Sequence, residues 1–129
     1  MIDENLIKSV AKKYDLVVER KRKSRTITCY TILLDGNDIC YYSTYRTGWA
    51  QVPTQVYVDW DWYNSDKPRI EFGDKHSMRN EKELLKSIQY LVRTYNKFKV
   101  VVSQIQKEVM VENKLNDLEK DFVNDFRRI

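Results

Sequence analysis

Three acidic residues are the first candidates for chemistry in this 129-residue sequence. Asp59 and Asp61 lie two apart in a segment that alternates apolar and polar residues, so both project from one face of a predicted strand. Glu71 follows on the strand predicted to return beside it. Because clustered carboxylates hold Mg²⁺ and act as acid and base, a metal-dependent nuclease is one hypothesis. A solvent-facing strand produces the same alternation, and we therefore assign no catalytic residue and no metal ligand.

The sole histidine and the two cysteines give no support to an enzyme. His76 lies in a predicted linker, with no nucleophile or orienting acid predicted beside it. Cys29 and Cys40 lack the CxxC spacing of a metal site, and two cysteines are too few for a disulfide scaffold. The glycines are isolated, so no glycine-rich phosphate loop is present. We therefore expect a binding protein that needs no cofactor, with both thiols reduced and buried.

A run of cations gives the strongest indication of a partner. The cations crowd one short segment, and they are Arg20, Lys21, Arg22, Lys23 and Arg25. Like charges this close repel one another and favour a solvated turn, which would bind phosphates or an acidic protein. The net charge of +4 is modest for a dedicated nucleic-acid binder, and the residues from 110 to 126 are predominantly acidic. We predict a protein or nucleoprotein partner, with direct binding of nucleic acid as the alternative.

Aromatic residues extend the predicted partner surface. Trp49 lies in a predicted loop next to a glycine, and Arg46 precedes it. Tyr57 and Tyr63 fall on the polar side of the alternating strand. Trp, Tyr and Arg often anchor protein interfaces, and aromatic rings also stack on bases. We predict one surface that combines these four residues with the basic cluster; a nucleotide signal held between protomers by Arg and Tyr side chains is a further alternative.

The sequence predicts a long C-terminal helix, and this helix positions the surfaces that the chain presents. From Leu84 to Val109 the apolar residues recur at spacings of four and three, which is the period of one helix face. Asn80 is the predicted N-cap. The apolar spacing loses its register after Val109, so the helix either bends near Glu112-Asn113, changes partner there or breaks into a second helix.

This predicted helix is longer than a sheet can cover. Strands of five to nine residues span about 17–30 Å, whereas the helix from 81 to 109 alone makes a rod of about 45 Å. The uncovered part carries apolar residues, which predicts a homodimer or a larger homo-oligomer. The predicted interface residues are Val102, Ile105, Val109, Leu115, Leu118 and Phe122.

The first 79 residues predict a short helix and then an antiparallel sheet. An amphipathic period over residues 3–13 marks the helix. The predicted strands are an extended segment from Leu16 and the residues 26–34, 39–45, 55–63 and 69–72, with a turn over 35–38. Residues 46–53 are predicted as an exposed loop and residues 73–79 as a linker. We predict one α+β domain, in which residues 1–79 form the helix and a twisted sheet of four or five strands, and residues 80–129 form the long helix.

Composition indicates a small cytoplasmic protein. No apolar run approaches the roughly 18 residues of a membrane span, and the N-terminus lacks a basic region followed by an apolar core. We therefore expect no contact with a membrane. In general make-up the chain is small, rich in Lys and Asn, and without a catalytic signature. In this it resembles the accessory and inhibitor proteins of bacterial mobile elements, including phages, and the resemblance implies a protein that acts by binding.

Overall fold

A computed structural model describes residues 1–46, 48–59 and 68–127, with side chains through residue 120. The elements are α1 (Glu4–Lys13), β1 (Val17–Arg22), β2 (Thr28–Leu34), β3 (Asn37–Ser43), a 3-10 turn (Thr44–Arg46), β4 (Ala50–Asp59), β5 (Arg69–Met78) and α2 (Glu81–Arg127). The strands form one five-stranded antiparallel sheet in the order β1-β2-β3-β4-β5. The predicted α+β architecture of short helix, antiparallel sheet and long helix is confirmed.

One face of the sheet packs against both helices and forms the core. Ile32 of β2, Cys40 of β3 and Val52 of β4 are each 0% exposed on this face. The helices contribute six side chains that are at most 1% exposed, and they are Ile7, Val10, Ala11, Leu84, Ile88 and Leu91. Burial of these apolar side chains is the main force that holds helices and sheet together. The apolar spacing of the long helix therefore marks the face that contacts the sheet.

Capping side chains fix where both helices begin. Asp3 Oδ1 accepts a hydrogen bond from the Leu6 N–H at 2.8 Å, and Asn80 Oδ1 accepts one from the Lys82 N–H at 2.8 Å. These oxygens satisfy N–H groups that have no partner inside the helix. From the predicted cap at Asn80, α2 runs without interruption for 47 residues, or about 70 Å. The helix is continuous through Glu112-Asn113, so the break considered from the sequence does not occur.

The β2–β3 hairpin turns through only two residues. Asp35-Gly36 have φ values of 48° and 80°, as a type I′ turn requires. The turn predicted over 35–38 is therefore too long, and Asn37 already pairs in β3. The register then shifts, so that Ile39 is skipped while Cys40 pairs with β2. This bulge lets two consecutive residues of β3 face the core, where both are 0% exposed.

Strand β4 begins earlier than predicted and β5 ends later, while residues 60–63, predicted to complete β4, lie outside the described residues. Residues 50–53, predicted as an exposed loop, open β4, and residues 73–78, predicted as a linker, complete β5. His76 therefore lies on a strand. Pro53 fits within β4 because the β3 pairing reaches only as far as Gln51, so no β3 partner requires the missing N–H.

Candidate functional site

The second face of the sheet is the candidate functional surface, here called the open face. In residues 1–46, 48–59 and 68–120 the helix contacts are with the core face, and the open face carries no helix. Paired residues in an antiparallel ladder project to the same side, so the register assigns each strand residue to a face. The side chains of the open face include Glu19, Lys21, Lys23, Cys29, Asp38, Tyr41, Ser43, Trp49, Gln51, Tyr57, Asp59, Glu71, Lys75, Ser77 and Arg79.

Trp49 and Arg79 form a cation–π contact on the open face, just before β4 begins and just after β5 ends. The guanidinium carbon lies 5.5 Å from the ring centroid, and Trp49 is 38% exposed. Ala50 pairs with Met78, and one further step of this register places Trp49 opposite Arg79. Such contacts contribute about 0.5–1 kcal/mol at exposed sites and order both side chains. Arg79 is not among the predicted site residues, because the sequence predicts a linker over residues 73–79.

Lys23 and Tyr41 form a second cation–aromatic pair at one corner of the open face. Lys23 Nζ lies 5.7 Å from the Tyr41 ring centroid and 3.4 Å from the hydroxyl oxygen. The hydrogen bond to Tyr41 raises the pKa of Lys23 above its ordinary value, which keeps the ammonium charged. The same hydroxyl lies 3.0 Å from Cys29 Sγ, and Lys21 pairs with Cys29. This corner therefore combines two cations and one aromatic ring, of which Tyr41 was not predicted.

The predicted basic cluster is divided between the two faces of β1. Arg20 pairs with the buried Tyr30 and so lies on the helix-covered side. Arg22 donates from Nε to the Ser24 carbonyl oxygen at 3.2 Å and from a terminal nitrogen to the Arg25 carbonyl oxygen at 3.4 Å. These bonds hold the turn between β1 and β2. The open face therefore receives only the two lysines of the cluster.

Trp49 borders a shallow depression of the open face. The depression is lined by Tyr41, Ser43, Arg46, Trp49, Gln51 and Ser77. The structure thus brings together two predicted residues. Arg46 ends the 3-10 turn, and Trp49 lies immediately before β4. The polar side chains of the lining offer hydrogen-bond donors and acceptors beside the indole ring.

Tyr57 extends the open face along β4. Its side chain is 47% exposed. The ring lies over Gly73 of β5, where an added Cβ would come within 3.2 Å of Tyr57 Cε1. The absence of a side chain at Gly73 therefore leaves the room that the ring needs. Tyr63, predicted for the same surface, lies outside the described residues.

The predicted carboxylate group is only partly described. Asp59 pairs with Arg69 and Glu71 pairs with Tyr57, so both carboxylates lie on the open face. Asp61 lies outside the described residues. Within the part of the chain that the structure describes, no three His, Cys, Asp or Glu residues approach one another as a metal site requires. The nuclease hypothesis thus stays a prediction.

Both thiols are free and buried, as predicted. Cys40 is 0% exposed, and this burial raises the pKa of its thiol to about 12. Cys29 is 3% exposed beneath the corner formed by Lys23 and Tyr41. A protonated, inaccessible thiol is a weak nucleophile, so Cys40 acts as a small apolar core residue.

The distal part of α2 is a second candidate surface, and residues 111–120 are all exposed. Three apolar side chains in this segment are more than half exposed, and they are Val111 (57%), Leu115 (56%) and Leu118 (65%). Among the other predicted interface residues, Val102 is 7% exposed and thus covered by its own chain. Ile105 and Val109 are half-buried, and the Phe122 side chain lies outside the description.

The helices of the described residues do not combine the length and apolar character that crossing a membrane requires. Comparisons with protein-family models, with curated proteins and with solved structures find no match to this chain.

Proposed function

We propose that this protein is a non-enzymatic binding protein that engages a protein or nucleoprotein partner through the open face, as an accessory or inhibitor protein does. The observation that carries the proposal is the Trp49–Arg79 pair on the open face, where β4 begins and the edge strand β5 ends. Trp, Tyr and Arg are the residue types most enriched among interface hot spots. Because Arg79 already orders the indole ring, binding costs less side-chain entropy.

Direct binding of nucleic acid is the second candidate, and the exposed ring of Tyr57 favours it. An aromatic ring on an open sheet, with cations nearby, can stack on a base of a single strand. Arg79 and Lys23 already lie over the rings of Trp49 and Tyr41, which leaves less ring area for bases. This arrangement favours the protein partner. If phosphates dominate instead, affinity falls by about 10³-fold or more between roughly 50 and 200 mM salt.

A pull-down from cell lysate, with and without nuclease treatment, tests the open face. The baits are the wild type, Trp49→Ala and the control Tyr90→Ala, whose ring is 52% exposed on α2. We expect the wild type and the control to retain the same partner after nuclease treatment, and Trp49→Ala to lose it. A partner that nuclease removes from every bait would support nucleic acid. Equal capture by all three baits would contradict the role of the open face.

We also propose that the distal part of α2 pairs with a second copy of the chain. Val111, Leu115 and Leu118 follow at spacings of four and three, so they share one side of the helix. Burying the exposed half of each contributes about 1 kcal/mol, or about 6 kcal/mol for the two copies before association costs. A helix that stays unpaired in water does not gain this free energy of burial.

Light scattering at rising protein concentration tests the self-association. We expect a dimer or larger species for the wild type and a monomer for the double variant Leu115→Ser, Leu118→Ser. The matched control replaces Asn113 and Asn116 with Ser in the same exposed segment and leaves the association unchanged. A wild type that stays monomeric up to about 1 mM would remove this proposal, since about 6 kcal/mol corresponds to a dissociation constant of about 40 μM before association costs weaken the pairing.

A further inference from the structure

Strand β1 lies at one edge of the sheet. In the described part of the chain it pairs with β2 alone. At such an edge the backbone N–H and C=O groups of every second residue point away from the sheet and remain available to a further strand. Extended peptides bind other proteins by pairing with edges of this kind.

We infer that an extended, acidic segment of a protein partner adds to the sheet along β1 as a sixth strand. The inference rests on the proposed function, because it specifies how the protein partner is held. Strand addition gives affinity through backbone hydrogen bonds, and the side chains beside the edge give specificity. A segment that pairs with all six residues of β1 would place its side chains alternately on the two faces of the sheet.

The charges at this edge match an acidic segment. Arg20 lies on the helix-covered side, while Lys21 and Lys23 lie on the open face. A paired strand with acidic residues would meet cations on either face, and opposite charges across a strand pair are stabilising. Glu19 is the acid on β1, and Glu4 of α1 lies near Arg20, which lowers the Glu4 pKa after the larger effect of its hydrogen bond to Lys8. The cations outnumber these acids, so the edge favours negative charge.

A cleft at the start of β1 provides a place for an apolar anchor. Its volume is about 520 Å³, and it lies between the α1–β1 connection, the β2–β3 turn and α2. Leu16, Val17, Leu34 and Val92 contribute apolar lining, and the polar groups include those of Asp15, Asp35 and Asn96, so an uncharged apolar residue suits this end of the segment and an acidic one does not. Since Val17 is both the first residue of β1 and 64% exposed, a strand paired along β1 ends beside this cleft. An aliphatic or aromatic residue at that end of the segment fits the lining.

A second copy of this chain does not suit the same edge. Antiparallel pairing of two β1 strands would bring together two segments that each carry a net charge of +2, three cations against Glu19, and this repulsion destabilises the pair. The acidic part of this chain, from Glu112 to Glu119, is helical and cannot add as a strand. The occupant is therefore a segment of a different protein.

A fluorescent peptide of about eight residues, long enough to span β1, tests the inference. The probe alternates Glu and Val and ends in Leu, and its anisotropy is measured against the full chain. A second peptide has the same sequence with N-methyl groups on every backbone nitrogen, which block the N–H groups of both edges. We expect the methylated peptide to bind more weakly by about tenfold or more, since about three hydrogen bonds from peptide N–H groups are lost.

Charge variants supply the matched control. Arg20→Glu with Lys21→Glu should weaken peptide binding by about tenfold or more, because both cations border the added strand. Lys107→Glu with Lys114→Glu makes the same change in net charge on the distal part of α2 and should leave the affinity unchanged. Circular dichroism verifies that each variant folds.

The possible failures identify which statement is wrong. Equal affinity for the two peptides, or no binding of either, would overturn strand addition. An oligonucleotide that binds the same edge and displaces the peptide would replace the protein segment with nucleic acid. If the peptide result fails while Trp49→Ala still abolishes capture of the cellular partner, the proposed function stands and only strand addition is refuted.

Discussion

Replacing Tyr95 with Phe removes one hydroxyl group from α2 and leaves the packed ring in place. This hydroxyl donates to Asp35 Oδ2 at 2.9 Å, and Lys99 Nζ donates to the same oxygen at 2.8 Å. The Tyr95 ring is 8% exposed and stacks on Phe72 with ring centroids 5.7 Å apart. The contact therefore joins the β2–β3 turn to the helix that covers the sheet.

The expected loss of stability follows from the exposure of the acceptor. A hydrogen bond to a charged group contributes about 1.5–3 kcal/mol to stability. The Asp35 side chain is 46% exposed and keeps its contact with Lys99, so water and the ammonium offset part of the loss. We expect Tyr95→Phe to lower the free energy of unfolding by about 1 kcal/mol at pH 7. For a domain of this size the melting temperature falls by about 3–5 °C.

The pH dependence gives this prediction a second readout. Lys99, and then Tyr95, hold the pKa of Asp35 below its ordinary value. A lowered carboxyl pKa stabilises the fold above the unfolded pKa of about 3.9, and that stabilisation is lost as the pH falls through the folded pKa. The difference between wild type and Tyr95→Phe should thus be full at neutral pH and shrink as Asp35 becomes protonated.

Urea unfolding followed by circular dichroism measures both effects. Asp35→Asn is the matched partner variant, because asparagine tolerates the φ of 48° at this position and removes only the charge. In the Asp35→Asn background, Tyr95→Phe should cost less than it does in the wild type. Equal unfolding free energies for wild type and Tyr95→Phe at pH 7 would refute the reasoning.

Three further predictions concern the core, a thiol and a helix cap. Ile88→Ala should cost about 2–5 kcal/mol by urea unfolding, because the side chain is 0% exposed, and a loss below that of an exposed-site alanine would contradict its core role. In a Cys29→Ser background, Cys40 should react with a thiol reagent only on unfolding, given its burial and pKa of about 12; rapid reaction of the native protein would oppose this. Asp3→Ala should cost about 1 kcal/mol in thermal unfolding, and Asp3→Asn much less, since asparagine still caps the helix.

The helices and the hairpin were predictable because their signals are local. The four-and-three spacing from Leu84 onward and the cap at Asn80 predict α2 directly, and Asp35-Gly36 is a strong signal for a tight turn. The missed parts of β4 and β5 lack such signals. Residues 73–78 contain a glycine and mostly polar side chains, as suits an edge strand whose outer face is open. Their strand conformation follows from pairing with β4, which no local pattern reveals.

The candidate site was predicted in part. Trp49, Tyr57 and Arg46 were identified from residue type, and the register places Trp49 and Tyr57 on the open face. The basic cluster was treated as one surface, whereas strand alternation sends Arg20 to one side and Lys21 to the other. Alternation is a sequence property, so this division could have been predicted once the cluster was assigned to β1.

Arg79 shows how the core and the open face are connected. It lies between Met78, the last residue of β5, and Asn80, whose side chain caps α2. Its backbone position is therefore fixed both by the sheet register and by the helix that begins two residues later. Burial of Leu84 anchors that helix on the core face, so the core holds in place the cation that orders Trp49 on the opposite side. A partner that displaces Arg79 from the indole ring must do so while the Arg79 backbone stays fixed by β5 and α2. It needs to offer the guanidinium a carboxylate in exchange.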